Sequence, residues 1–136
     1  MSGFFTPRMF LIVGGAVLLL LGIVGYLGIF TEATTPWFVL TTGENVAHTV
    51  LGVVALAAVF VPGLNSALAP YYRPVVILVG LIALFFAVYG FVVSGNPSPN
   101  TFGLANLENP ADNILHIVVA AWAFASAFMG RETSMA

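Results

Sequence analysis

Glu44-Asn45-Val46-Ala47-His48-Thr49-Val50-Leu51-Gly52-Val53 and Asp112-Asn113-Ile114-Leu115-His116-Ile117-Val118-Val119-Ala120-Ala121 decide the fold of this chain. Each stretch opens with an acid, an Asn, two apolar residues and a His, and then runs on without a charge. The two openings hold the only two histidines of the 136 residues. A long uncharged apolar run behind a short polar opening reads as a helix entering lipid. The repetition of the opening reads as an internal duplication.

The composition agrees with lipid as the solvent. Hydrophobic residues make up 60% of the chain and charged residues only 6%, and the mean hydropathy is +1.08. A soluble domain carries about a quarter charged residues, so this chain lacks the polar surface to cover a globule in water. With three arginines and no lysine, nucleic acid is excluded as a partner. The absence of cysteine excludes disulfides, thiolate metal sites and thiol nucleophiles.

Four apolar runs approach the roughly 20 residues that a spanning helix needs. They lie at about 9–30, 44–62, 72–94 and 110–130. The first run is longer than the roughly 7–15-residue core of a signal peptide and no small-residue cleavage site ends it, so it reads as a retained span. Pro62-Gly63 and Pro70 interrupt the second connection, and Asn96-Pro97-Ser98-Pro99-Asn100 the third. The first connection holds Trp37, an aromatic suited to the membrane interface. Tyr71 and Tyr72, beside Arg73, read as a second interfacial anchor. The predicted fold is all-α, a four-transmembrane-helix bundle in a single integral membrane domain covering 1–136.

Charge sets the expected orientation. Arg8, Arg73 and Arg131 flank the ends of the runs on one side, whereas Glu32, Glu44, Glu108 and Asp112 lie in or beside the other two connections. Only Glu132 breaks the segregation. The positive-inside rule then puts both termini in the cytoplasm and the acid-Asn-x-x-His phrases toward the outer or periplasmic side.

The duplication extends beyond the phrase. Gly15, Gly22 and Gly25 in the first run match Gly80, Ala87 and Gly90 in the third at the same spacing. The repeats are about 9–62 and 72–130, each a two-helix hairpin. Two spans return the chain to its starting side, so the repeats run parallel, related by a pseudo-two-fold along the membrane normal. Lipid tails solvate Leu as well as a neighbouring helix does, so small residues that allow close backbone approach mark the packed faces. Gly52 and Ala55 share the His48 face, and Ala120, Ala123 and Ala127 share the His116 face. This places the second and fourth runs beside the pseudo-axis, with the histidines turned inward.

Within the phrase, the acids suit helix starts. Thr41 and Glu44 have the N-cap and N3 spacing of a capping box, and Asn109 and Asp112 a looser version with Pro110 at N1. A catalytic carboxylate pair is the competing reading. Asn45 and Asn113 lie three positions before their histidines and share a face with them. Each histidine sits about 10 Å from the start of its run at ~1.5 Å per residue. Three readings of His48 and His116 follow. They are polar ties hydrogen-bonding across helices, at about 0.6–2 kcal/mol each. They are axial ligands of a haem or of the Mg of a chlorophyll-type pigment. Or they are part of a proton or solute path. No further charge continues such a path inward.

The segment Asn109-Pro110-Ala111-Asp112-Asn113-Ile114-Leu115-His116 and the Val/Ala-rich run behind it resemble a bacterial family of small four-helix integral membrane proteins, classed as a domain of unknown function. The likeness covers most of the chain, with Asp112-Asn113-x-x-His116 as its specific part. The resemblance implies a four-helix fold and a bacterial membrane location, and brings no activity. The first copy, Gly43-Glu44-Asn45, is a milder match.

No phosphate loop, zinc-protease helix, nucleophile elbow or calcium loop occurs. The sequence therefore predicts a non-enzymatic structural or accessory subunit of a bacterial membrane complex, inner or energy-transducing. It would pack against lipid, against itself or against other membrane subunits. The alternatives are a pigment-binding subunit with His48 and His116 as ligands, and a small channel or transporter.

Overall fold

The computed structural model describes residues 3–130. Arg131 and Glu132, two of the charges used above, lie outside the described residues. The chain is all-helical among the described residues, and four of its helical stretches are long and apolar enough to cross a membrane.

Helix α1 runs Pro7–Tyr26, α2 Thr42–Phe60, α3 Pro62–Leu68, α4 Tyr72–Val92 and α5 Ala111–Phe128, with a 3-10 turn at Ala69–Tyr71 between α3 and α4. Local chemistry sets the ends. At the start of α1, Thr6 Oγ1 accepts from Met9 N at 3.1 Å, and Pro7 occupies the position where a missing N–H leaves no bond unmade. At its end Gly28 takes φ +70, a left-handed turn that glycine enters without a Cβ penalty. Helix α2 stops at Val61, whose backbone is extended because Pro62 disfavours helical geometry in the residue before it.

The second connection is more ordered than its prolines suggest. Pro62 opens α3 instead of ending structure, because its fixed φ suits a first helical residue. Tyr72 is a further correction. It is no interfacial anchor but a core residue, 4% exposed, whose hydroxyl donates to Ala58 O at 2.8 Å or to Asn65 Oδ1 at 2.7 Å. Tyr71 beside it does face outward. Arg8 donates to the same Asn65 Oδ1 at 3.0 Å, which ties the start of α1 to the α2–α4 connection.

The helices pair as two hairpins, α1 with α2 and α4 with α5, and α1 also touches α4 and α5. Two contacts recur in both pairings. A Cβ added at Gly15 would meet Ala55 and Leu56, and one added at Gly80 would meet Phe124 and Ala123. Gly25 lies against the amide of Asn45, and Gly90 against the amide of Asn113. These matched contacts place Arg8 and Arg73 at one end of the bundle and Glu44, Glu108 and Asp112 at the other.

One expectation about the packing is corrected. The second and fourth runs, α2 and α5, do not pack together along the axis. Their N-terminal ends converge, and below that point both line one cavity. The physical reason is that their small residues are already engaged within the hairpins. Gly52 sits so close to α1 that a Cβ there would lie 2.8 Å from Gly15 O and 2.6 Å from Leu19 N.

Candidate functional site

The site is the space between the hairpins, and its roof is built by the two repeated phrases. In the first copy, Thr41 and Glu44 cap α2 reciprocally. Glu44 N donates to Thr41 Oγ1 at 3.5 Å, and Thr41 N donates to Glu44 Oε2 at 2.8 Å. The Thr41 hydroxyl also donates to Glu44 Oε2, at 2.5 Å. The second copy is built differently, and Asn109 is not the cap that its spacing predicts. The residue preceding α5 is Pro110, which has no side-chain cap. Asn109 instead accepts from Asn113 Nδ2 at 2.9 Å, while Asp112 Oδ2 reaches back to Glu108 N at 2.8 Å. Pro110 brings no N–H to this end, and Asp112 takes its backbone hydrogen bond four residues back, at Glu108.

The third connection closes over this end. Leu104 O lies against Gly43, where only a hydrogen fits. An Asn100–Asn106–Leu107 network holds the loop, with Asn100 Oδ1 accepting from Leu107 N at 2.9 Å. The loop delivers Glu108 to the other two acids. Oxygens of Glu44, Glu108 and Asp112 all lie within 4.8 Å of one another. That spacing would suit oxygen ligands of a divalent cation. Glu44 and Asp112 each already commit an oxygen to a backbone N–H, so the group also serves as a helix-end cap. Glu108 is the member that sequence spacing did not reveal, because its position depends on how the loop folds back.

One helical position on, the amides lock each hairpin. Asn45 is 4% exposed and Asn113 is fully buried. The Oδ1 atoms of both lack a hydrogen-bond partner, and each rests on the Cα of a glycine in the partner helix, Gly25 or Gly90. Such a Cα–H···O contact contributes about 0.5–1 kcal/mol. Across helices the asparagines are thus held by close packing and not by conventional hydrogen bonds.

His48 and His116 follow one turn deeper, and both line a single cavity of ≈ 400 Å³. Phe10, Leu18, Leu51 and Trp122 contribute to its otherwise apolar wall. The His116 Nδ1 lies 2.7 Å from Asp112 O of its own helix. A carbonyl only accepts, so Nδ1 carries the proton and Nε2 carries the lone pair. The His116 ring also stands 5.8 Å from the Phe86 ring. The Nδ1 of His48 is buried without a partner, a state that costs about 1–3 kcal/mol when nothing satisfies it. Among the described residues, neither histidine hydrogen-bonds to another helix, so the interhelical hydrogen bonds that the sequence suggests are not formed.

Trp122 borders the same cavity, stacks on Phe4 at 5.9 Å and packs against Phe10 at 4.5 Å. Its indole N–H is also buried and unpartnered. Read along the sequence it is a deep packing residue; only the approach of α1 to α5 makes it a wall of the site. Comparison of this chain with protein-family models, with curated proteins and with solved structures finds no match.

Proposed function

We propose that this chain is a non-enzymatic accessory subunit of a bacterial membrane, built by tandem duplication of a helical hairpin, whose two hairpins hold a lipid-soluble ligand between them. One observation carries the reading: the histidines of the two repeated phrases, far apart in sequence, line one apolar cavity. Two imidazoles are costly groups to keep at membrane depth, and groups of that kind in a span mark a functional site by default. The cavity volume of ≈ 400 Å³ lies within the range of about 300–1,000 Å³ typical of small-molecule sites.

The matched Gly–Asn contacts support the duplication. The separation of Arg8 and Arg73 from the three acids supports an orientation with the termini cytoplasmic and the phrases outward. The outer faces carry exposed apolar side chains such as Leu20, Val54, Ile82 and Val88, which suit lipid, a second copy or another membrane subunit.

Gly14 borders the cavity, and a methyl added there would meet only the Trp122 and Phe10 rings, at 3.8 Å and beyond. Gly14→Leu therefore adds side-chain volume at the cavity wall, beside the Trp122 and Phe10 rings. The test is purification from the native membrane followed by organic extraction and mass analysis. One compound near one equivalent per chain is expected with the natural protein, reduced several-fold with Gly14→Leu. Bulk lipid alone, in equal amounts from both, overturns the reading.

A further inference from the structure

From the placement of the two histidines we infer that the ligand is an iron tetrapyrrole, with the metal held between His116 and His48. This rests on the reading of the inter-hairpin cavity as a ligand site and names the ligand's class.

The His116 ring is set as an axial ligand would be. Its Nδ1–H is committed to the Asp112 backbone carbonyl at 2.7 Å, which fixes the tautomer and leaves Nε2 with a lone pair. A backbone carbonyl on the remote nitrogen is the usual outer partner of a metal-bound imidazole, and it raises the basicity of the ligating nitrogen. The same tautomer leaves His116 Nε2 without a hydrogen to donate, so this ring is set to act through its lone pair.

His48 supplies a second imidazole from the other hairpin to the same cavity. No hydrogen bond among the described residues orients its ring, and its Nδ1 is unpartnered. Two imidazoles in one cavity suit six-coordinate iron, whereas the magnesium of a chlorophyll-type pigment takes a single axial ligand. Among the described residues no carboxylate, thioether or guanidinium borders the cavity, so the imidazoles are its candidate axial donors. The Tyr72 hydroxyl, also at its edge, is engaged by Ala58 O and Asn65 Oδ1. The remaining wall is apolar and includes the Phe10 and Trp122 rings, which suits the faces of a large planar macrocycle.

The experiment titrates the full chain, purified in detergent, with haemin and separately with metal-free protoporphyrin IX. Haemin is expected to bind one per chain with a six-coordinate low-spin spectrum, at least tenfold more tightly than the metal-free ring. His116→Ala and His48→Ala should each convert the spectrum to high-spin and weaken haemin at least tenfold, leaving protoporphyrin binding unchanged. His116→Met, which offers a thioether at similar volume, should shift the spectrum without abolishing binding, and gel filtration checks that each variant keeps its native size. Equal binding of the two rings, with a haemin spectrum indifferent to His116→Ala, overturns the ligation while leaving the cavity reading in place. Failure of both rings to bind, with Gly14→Leu indistinguishable from the natural chain, overturns both.

Discussion

The two hairpins share one plan and differ in how tightly it is drawn. In the first, α1 and α2 meet through glycine on both sides, with Gly52 against Gly15 O and Leu19 N, and Gly22 against Thr49. In the second, alanines stand at the matching positions, Ala120 for Gly52 and Ala87 for Gly22, and both are buried. The first hairpin brings backbone to backbone, while the second brings methyl groups between the helices. The start of each second helix differs too. Thr41 and Glu44 cap α2 reciprocally, while α5 relies on Asp112 gripping Glu108 N. The Asn–Gly lock, the inward histidine and the Gly15–Ala55 and Gly80–Ala123 contacts are therefore the shared elements, and the cap and the other small positions differ between the hairpins.

The largest expected effect breaks the difference in helix approach. Gly52→Ala places a methyl 2.6 Å from Leu19 N, an atom that cannot move without the helix. It should destabilise the protein by about 2–3 kcal/mol through overpacking. The reverse exchange in the other hairpin, Ala120→Gly, should cost only about 1 kcal/mol, the propensity penalty of glycine in a helix. Equilibrium unfolding in mixed micelles measures both, and equal costs would mean that the hairpins are equally close-packed.

The next effect tests the shared lock. Asn113→Ala removes the amide from Gly90 and the bond from Nδ2 to Asn109, and should cost about 2 kcal/mol. Asn45→Ala loses the Gly25 contact without a comparable side-chain hydrogen bond, and should cost about 1 kcal/mol. The same unfolding assay checks the order, and a larger loss at Asn45 would reverse the assignment of the stronger lock to the second hairpin.

The smallest effect sharpens the contrast in caps. Thr41→Ala removes a true N-cap and should cost about 1 kcal/mol. Asn109→Ala removes a partner of Asn113 but no cap, and should cost about half that. Amide hydrogen exchange at the first turns of α2 and α5 separates the two. Faster exchange is expected at Glu44 in the first variant, with Asp112 unchanged in the second.

Much of the fold was legible because lipid imposes simple rules. The apolar runs, the polar connections and the Gly15/Gly80 and Gly25/Gly90 matches are properties of one-dimensional order. The candidate site was legible in part. The repeated phrase named His48 and His116, but not that they would face a shared cavity in place of each other's helices. Glu108 and Trp122 escaped because a loop and an interhelical contact, neither periodic in sequence, bring them to the site. Tyr72 escaped because its aromatic ring beside Arg73 has the signature of an interfacial anchor, and burial is decided by the fold of the neighbouring connection.

By itself the sequence determined the solvent, the helical class and the order of the spanning segments. Those follow from the need of every backbone N–H and C=O in lipid to be paired within its own segment. Tertiary structure alone decided which small residues meet, that α1 packs against both helices of the second hairpin, and that the two histidines line one cavity. Helix association in lipid depends on surface fit between partners, and that fit is a property of pairs of faces that no single stretch of sequence contains.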